Sequence, residues 1–228
     1  MFVYEKNGTI CVTFKDNKPI ESPEYMILID KQNGILSVNG TPVTAVEAYK
    51  LEQDVIYETA KEITTPVAIN LNGHTVAIPE DTAGSGVYHV TTGGSLTING
   101  EGVINGVGKN DYNMALWADG GNVIINGGTF TNKGATASIE PTHFDLIYAK
   151  NGSIVEINGG FFECETPQWT LNNNDKNPGT FIVKGGTFVG FNPSCTNTEP
   201  IGANNNFVAE GYTVIQNGDN YTVVKSAD

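Results

Sequence analysis

The chain contains no arginine. Its basic residues are 12 lysines against 25 acidic residues, a formal net charge of −13 over 228 residues. Nucleic-acid phosphates are held by clusters of Arg and Lys, so nucleic acid is excluded as an expected partner. Cysteine is scarce: Cys11, Cys164 and Cys195 are odd in number and lack metal-ligand spacing, which argues against a disulfide framework and gives no reason to expect a metal or other cofactor. No stretch approaches the ~18 consecutive apolar residues of a membrane span. The opening MFVYEKNGTICV has no basic segment followed by an apolar one, so the expectation is a protein made and assembled in a cytoplasm, without a membrane partner.

Glycine, by contrast, is abundant, with 27 residues, and much of it falls in a repeated phrase. LTINGEGV, VIINGGTF, VEINGGFF and FIVKGGTF follow one another at a period of about 27 residues, once stretched to about 32. Aligned on a central aliphatic residue, Leu71, Ile98, Ile125, Ile157 and Val183 form one apolar column, and Ile69, Leu96, Val123, Val155 and Phe181 form another two positions earlier. Asn72, Asn99, Asn126, Asn158 and Lys184 come next, each followed by glycine. Val76, Val103, Phe130, Phe162 and Phe188 make a third apolar column.

Two apolar residues separated by one variable residue make a short strand with one buried face. Asn-Gly supplies the positive φ of a sharp bend, and a second short strand buries the next apolar residue. Such a unit cannot bury its apolar face alone, whereas copies stacked at ~4.8 Å complete both the hydrogen bonding and the core. Upstream of the phrases lie VYHVTTGGSL (87–96), MALWADGGNV (114–123) and LIYAKNGSIV (146–155), which add a third strand and place Trp117 beside Val90 and Ala149, and Asp119 beside Thr92 and Asn151. The expected fold is all-β, a right-handed parallel β-helix of about six rungs, ~29 Å tall.

The series LNGHTV, INGEGV, INGGTF and INGGFF resembles the right-handed β-helices of the pectate-lyase-like superfamily, in the Asn-Gly-rich form of bacterial surface proteins and of bacteriophage fibres, tail spikes and head decorations. The resemblance covers about residues 64–210. It speaks to fold more than to function, because β-helices host many activities.

The flanks read differently. Residues 1–43 hold two hairpin-like alternations, FVYEKNGTICVTF and YMILIDKQNGILSVNG, expected to form a small β-rich anchoring head. Thr44-Ala-Val-Glu47 matches a capping box, and Ala48, Leu51 and Val55 share a helical face, so a capping helix is expected over 44–62. Residues 63–210 are assigned to the β-helix. YTVIQNGDNYTVVK within 211–228 reads as a closing hairpin.

Motifs for chemistry are thin. Pectate lyases, as the resemblance implies, abstract a proton with a basic residue, typically Arg, beside acidic Ca²⁺ ligands; this chain has no Arg. Polygalacturonase-type relatives carry an Asp-Asp pair and Gly-His-Gly, whereas here Asp-Asp is missing and Gly73-His74-Thr75 reads as a bend. Glycoside hydrolysis needs two carboxyl groups across the scissile bond. Asp119 and Glu156 are the nearest to candidates, and the ordinary reading of both is a solvated surface charge. NGEGVINGVG lies inside the repeat and lacks a phosphate loop's strand-loop-helix setting. NNNDKN (172–177) lacks the ligand spacing of a calcium loop and reads as a solvated turn. Trp117, Tyr148 and Trp169 are candidate glycan contacts if they face outward. Asn70, Thr97, Ile124, Glu156 and Ile182 form an outward column, in which Ile124 and Ile182 are candidate contacts of a homotrimer.

The expected function is a non-enzymatic bacteriophage virion protein, a short trimeric fibre or head decoration. Residues 1–62 would join it to other virion proteins, and the β-helix would meet a host-surface glycan. The competing classes are a β-helical carbohydrate-active enzyme such as a depolymerase, and a bacterial surface adhesin.

Overall fold

The computed structural model describes residues 48–79, 86–107, 114–135, 144–174, 176–196 and 205–227, with the backbone of short strands in 2–47. The chain divides into two units, Met1–Ala45 and Val46–Asp228. In the first, β1 (Phe2–Lys6) pairs antiparallel with β2 (Thr9–Thr13), and β3 (Ile27–Asp30), β4 (Ile35–Val38) and β5 (Thr41–Val43) form an antiparallel meander.

The second unit is a parallel β-solenoid. Its first turn is β6 (Glu47–Lys50), β7 (Val55–Ile56) and β8 (Lys61–Ile63); its second is β9 (Pro66–Asn70), β10 (Thr75–Ala77) and β11 (Tyr88–Thr91). The third is β12 (Ser95–Asn99), β13 (Val103–Asn105) and β14 (Leu116–Asp119), and the fourth β15 (Asn122–Ile125), β16 (Thr129–Thr131) and β17 (Ile147–Lys150). The fifth is β18 (Ile154–Ile157), β19 (Phe161–Glu163) and β20 (Leu171–Asn173), before which Pro167–Trp169 makes one 3-10 turn. β21 (Thr180–Val183) and β22 (Thr187–Val189) begin another turn, and β23 (Tyr212–Asn217) and β24 (Asn220–Lys225) fold antiparallel onto β22. The strands stack into a six-stranded sheet from β6 to β21, a five-stranded sheet from β8 to β20, and an eight-stranded sheet that includes the final hairpin. Among the described residues the five-stranded sheet has no member above β20, so fewer complete turns are described than the six rungs expected.

Register follows the apolar columns. Leu96, Val123, Val155 and Phe181 stack on one another, as do Ile98, Ile125, Ile157 and Val183. Phe130, Phe162 and Phe188 stack nearly parallel, with ring centroids 5.1 and 4.6 Å apart. All three are fully buried, and each such side chain contributes about 1.5–3 kcal/mol.

The first repeat departs from the expected alignment. Ile69, not Leu71, sits beneath Ile98, and Ile104, not Val103, sits above Val76. The bend joining these strands is longest in β9–β10 and shortens upward, so an alignment anchored on the phrase slips where the bend carries extra residues. Leu71 is nevertheless fully buried, because the long first bend folds it inward.

Glycine serves two purposes in the later phrases. The residue after Asn or Lys is closely packed: a Cβ on Gly127 would lie 3.0 Å from the Gly100 carbonyl oxygen of the turn below. The next residue makes the bend, with φ of +93° at Gly128, a conformation glycine adopts freely. The positive φ expected of Asn-Gly thus falls one residue later in these phrases.

The helix expected over 44–62 is not formed. Residues 47–50, 55–56 and 61–63 are strands, and the solenoid begins a full turn before residue 63. β6 pairs with β9 along Glu47–Lys50, satisfying an edge of N–H and C=O groups that a helix packed there would leave bare. The spacing of Ala48, Leu51 and Val55 is compatible with either state, and the tertiary pairing decides.

Candidate functional site

The five-stranded face gathers most of the functional side chains outside the core. Its strands read Tyr88-His-Val-Thr91, Leu116-Trp-Ala-Asp119 and Ile147-Tyr-Ala-Lys150, with buried and partly exposed residues in strict alternation. His89, Trp117 and Tyr148 therefore form one outward column, continued in register by the buried Asn172, and Thr91, Asp119 and Lys150 form the next.

Trp117 thus faces outward beside His89 and Tyr148, not inward beside Val90 and Ala149, and Asp119 aligns with Thr91 and Lys150. The expected register was one residue off because the bends after these strands differ in length. Trp117 and Tyr148 are direct neighbours across β14 and β17. Trp169 stands apart in the 3-10 turn, half-buried, with its carbonyl accepting the Leu146 N–H at 3.1 Å.

The column is closed by its own contacts. The His89 and Trp117 rings stack with centroids 4.3 Å apart and 13° from parallel. Lys150 Nζ lies 4.4 Å over the centroid of the Trp117 ring. His89 comes from the turn on one side of Trp117 and Lys150 from the turn on the other, so both faces of the indole are covered. Asn174 Nδ2 donates to the Tyr148 hydroxyl at 2.8 Å.

Asp119 is the hub. Its Oδ2 lies 3.3 Å from both His89 Nε2 and Lys150 Nζ, and its Oδ1 accepts from Asn151 Nδ2 at 2.6 Å. Burial on its own raises the carboxyl pKa. The hydrogen bonds from Asn151 and His89 and the Lys150 charge outweigh it, so the group is held below its ordinary value. A carboxylate so occupied is a weak base, and it stays ionised where a general acid must hold a proton.

Glu156 lies on the six-stranded sheet, so it and Asp119 do not share a face. Its Oε2 meets Lys184 Nζ at 2.8 Å and its Oε1 accepts from Asn158 Nδ2 at 3.0 Å; the Lys184 bond above all holds its pKa down against the effect of burial. His74 lies at its bend, 3.3 Å from Asp54. In NNNDKN, the expected solvated turn begins instead as strand, with Asn172 and Asn173 buried and Asn172 donating to Asp145 at 2.9 Å. Among the described residues no group of three or more His, Cys, Asp or Glu side chains is placed to hold a metal ion, and no helix is long and apolar enough to cross a membrane.

The outward column of the six-stranded face runs Ala68, Thr97, Ile124, Glu156 and Ile182, with Ala68 in the place expected of Asn70. Ile124 and Ile154 are 40% and 42% exposed, and Ile182 is partly buried. Beside them Asn126 donates to Asn99 at 2.9 Å and Asn158 to Asn126 at 3.0 Å, an amide ladder up the bend.

Sequence reasoning missed His89, Lys150 and Asn151 as a set around Asp119. The signal was present as a recurring triplet of ring, small apolar and polar residue: His89-Val-Thr91, Trp117-Ala-Asp119, Tyr148-Ala-Lys150. No family model matches the chain, and no curated protein or solved structure matches it.

Proposed function

We propose that the protein is a structural component of a bacteriophage particle, a short homotrimeric fibre or head decoration whose β-solenoid meets a host-surface glycan. The observation that carries this reading is the aliphatic patch on the six-stranded face, where Ile124 and Ile154 are exposed and Ile182 stands two turns above Ile124. Outward isoleucine on successive turns of a rigid face is suited to burial against copies of itself. The separate N-terminal unit, Met1–Ala45, is a natural carrier of attachment to other virion proteins. The resemblance to Asn-Gly-rich fibre β-helices favours the viral setting, and the closed ion pairs of Asp119 and Glu156 favour adhesion over hydrolysis.

The test is location and mass. Mass spectrometry and immunolabelling of purified particles should find the protein on their surface, and light scattering should give about 73 kDa, three times the 24.3 kDa chain. A chain beginning at Val46 should keep its β-structure and lose particle association. The reading fails if particles lack the protein, or if it cleaves polyuronates or capsular glycans in a manner that Asp119→Ala or Glu156→Gln abolishes.

A further inference from the structure

The last turn of the solenoid carries a groove remote in sequence from the aromatic column. Its walls come from the segment after β22 and from the closing hairpin, and it is an open groove of about 370 Å³, near the lower end of the ~300–1,000 Å³ usual for ligand clefts. Asn192, Asn206, Tyr212, Gln216 and Tyr221 supply most of its chemistry. Among the described residues no lining residue carries a formal charge at neutral pH, although the chain as a whole carries −13.

Each of the three amides is anchored at one end. Asn192 Oδ1 accepts from the Ser194 N–H at 3.0 Å and from its hydroxyl at 2.8 Å. Asn206 Oδ1 accepts from the Val208 N–H at 2.9 Å. Gln216 Nε2 donates to the Gly218 carbonyl at 3.1 Å and to the Tyr221 hydroxyl at 3.0 Å. The other ends, the Nδ2 groups of Asn192 and Asn206 and the Oε1 of Gln216, have no partner among the described residues. Two donors and one acceptor are thus oriented by local hydrogen bonds and left open to a ligand.

We propose that this groove binds a short neutral saccharide. A sugar hydroxyl donates and accepts at once, which uncommitted amide N–H and C=O groups match, and the two tyrosines offer rings for its apolar C–H face beside a hydroxyl for its rim. A carboxylate, phosphate or ammonium would find no counter-charge among the described lining residues. The inference rests on the glycan-contact part of the reading above. It places that contact at the closing end of the solenoid, where Trp117 takes no part.

Saturation-transfer NMR of the full chain with maltose, lactose, cellobiose and N,N′-diacetylchitobiose, against digalacturonic acid and glucosamine, tests it. At least one neutral disaccharide should receive saturation. Asn192→Asp and Asn206→Asp keep the anchoring acceptor oxygen while replacing the free donor by a charge, and each should weaken that binding about tenfold or more. Circular dichroism confirms that the variants fold. Transfer only to the charged sugars, or to none, overturns the groove assignment. So does binding that both variants leave unchanged; if Trp117→Ala then removes it, the glycan reading survives at the aromatic column. Particle association, measured separately, shows whether the virion reading stands when the groove assignment does not.

Discussion

The imidazole of His89 and the indole of Trp117 stack across adjacent turns at 4.3 Å, and Asp119, two residues beyond Trp117 on the same strand, reaches back to the imidazole Nε2 at 3.3 Å. The pair locks neighbouring turns together on the outside of the solenoid, where most β-solenoid stabilisation would be sought inside. Trp117→Ala removes the stack and the lysine's seat at once. It should cost about 2–3 kcal/mol in reversible denaturation, less than a fully buried Trp would. A loss under about 0.5 kcal/mol would show the column to be ornamental to stability.

The same hub sets an acid sensitivity. Asp119 is held below its ordinary value of 3.8, so its contribution to stability is complete above that pH and is lost as pH falls through 3.8 toward the lower folded value. Asp119→Asn should lower the thermal midpoint at pH 7, and the gap from the parent should narrow below about pH 3.8. A gap that stays constant down to pH 2.5 would mean that the carboxylate charge contributes nothing there.

Adjacent isoleucines should behave oppositely. Ile125 is fully buried and Ile124 is outward. Ile125→Asp buries an unpaired charge, at a cost of several kcal/mol, and should prevent folding. Ile124→Asp with Ile182→Asp should leave the circular dichroism unchanged and convert the proposed trimer to monomer in light scattering. A double variant as trimeric as the parent would exclude this face as the interface.

Gly128 and Leu71 should be coupled. A Cβ on Gly128 would approach Leu71 Cδ1 to 2.8 Å, at a φ of +93°. Gly128→Ala alone should cost about 2 kcal/mol or more from clash and backbone strain, and Leu71→Ala about 2–5 kcal/mol. The double variant should cost less than the sum, because truncating Leu71 removes the clash. Strict additivity in a denaturation cycle would place the two outside contact.

The thiols should separate by position. Cys164 is buried, and its thiol is pushed up to about 12, above all by loss of hydration, while Cys195 is exposed. In the native protein at pH 8, a maleimide followed by peptide mapping should label Cys195 and spare Cys164. Rapid native labelling of Cys164 would contradict its placement.

The solenoid was legible in the sequence because its constraint is local and periodic. Ile98, Ile125, Ile157 and Val183 recur with the alternation of a half-buried strand, and Phe130, Phe162 and Phe188 mark the next strand at a constant offset. Stacking identical environments demands the same residue types turn after turn, so repetition in the text mirrors repetition in space. The closing hairpin was equally plain, because Asn217 and Gly218 interrupt two alternating runs.

What only the tertiary structure decided is register and partnership. A bend can gain a residue while every strand keeps its pattern, so nothing in the text says that Ile69 rather than Leu71 meets Ile98, or that Trp117 meets His89. A slip of one residue exchanges inside for outside, which is why Trp117 was legible as aromatic and not as an outward ring covered on both faces. Residues 47–63 show the same limit: their apolar spacing suits a helix or strands, and the free edge of β9 chose strands. The hub at Asp119 draws His89 from one stretch of chain and the adjacent Lys150 and Asn151 from another, and only the vertical stacking of turns makes them neighbours.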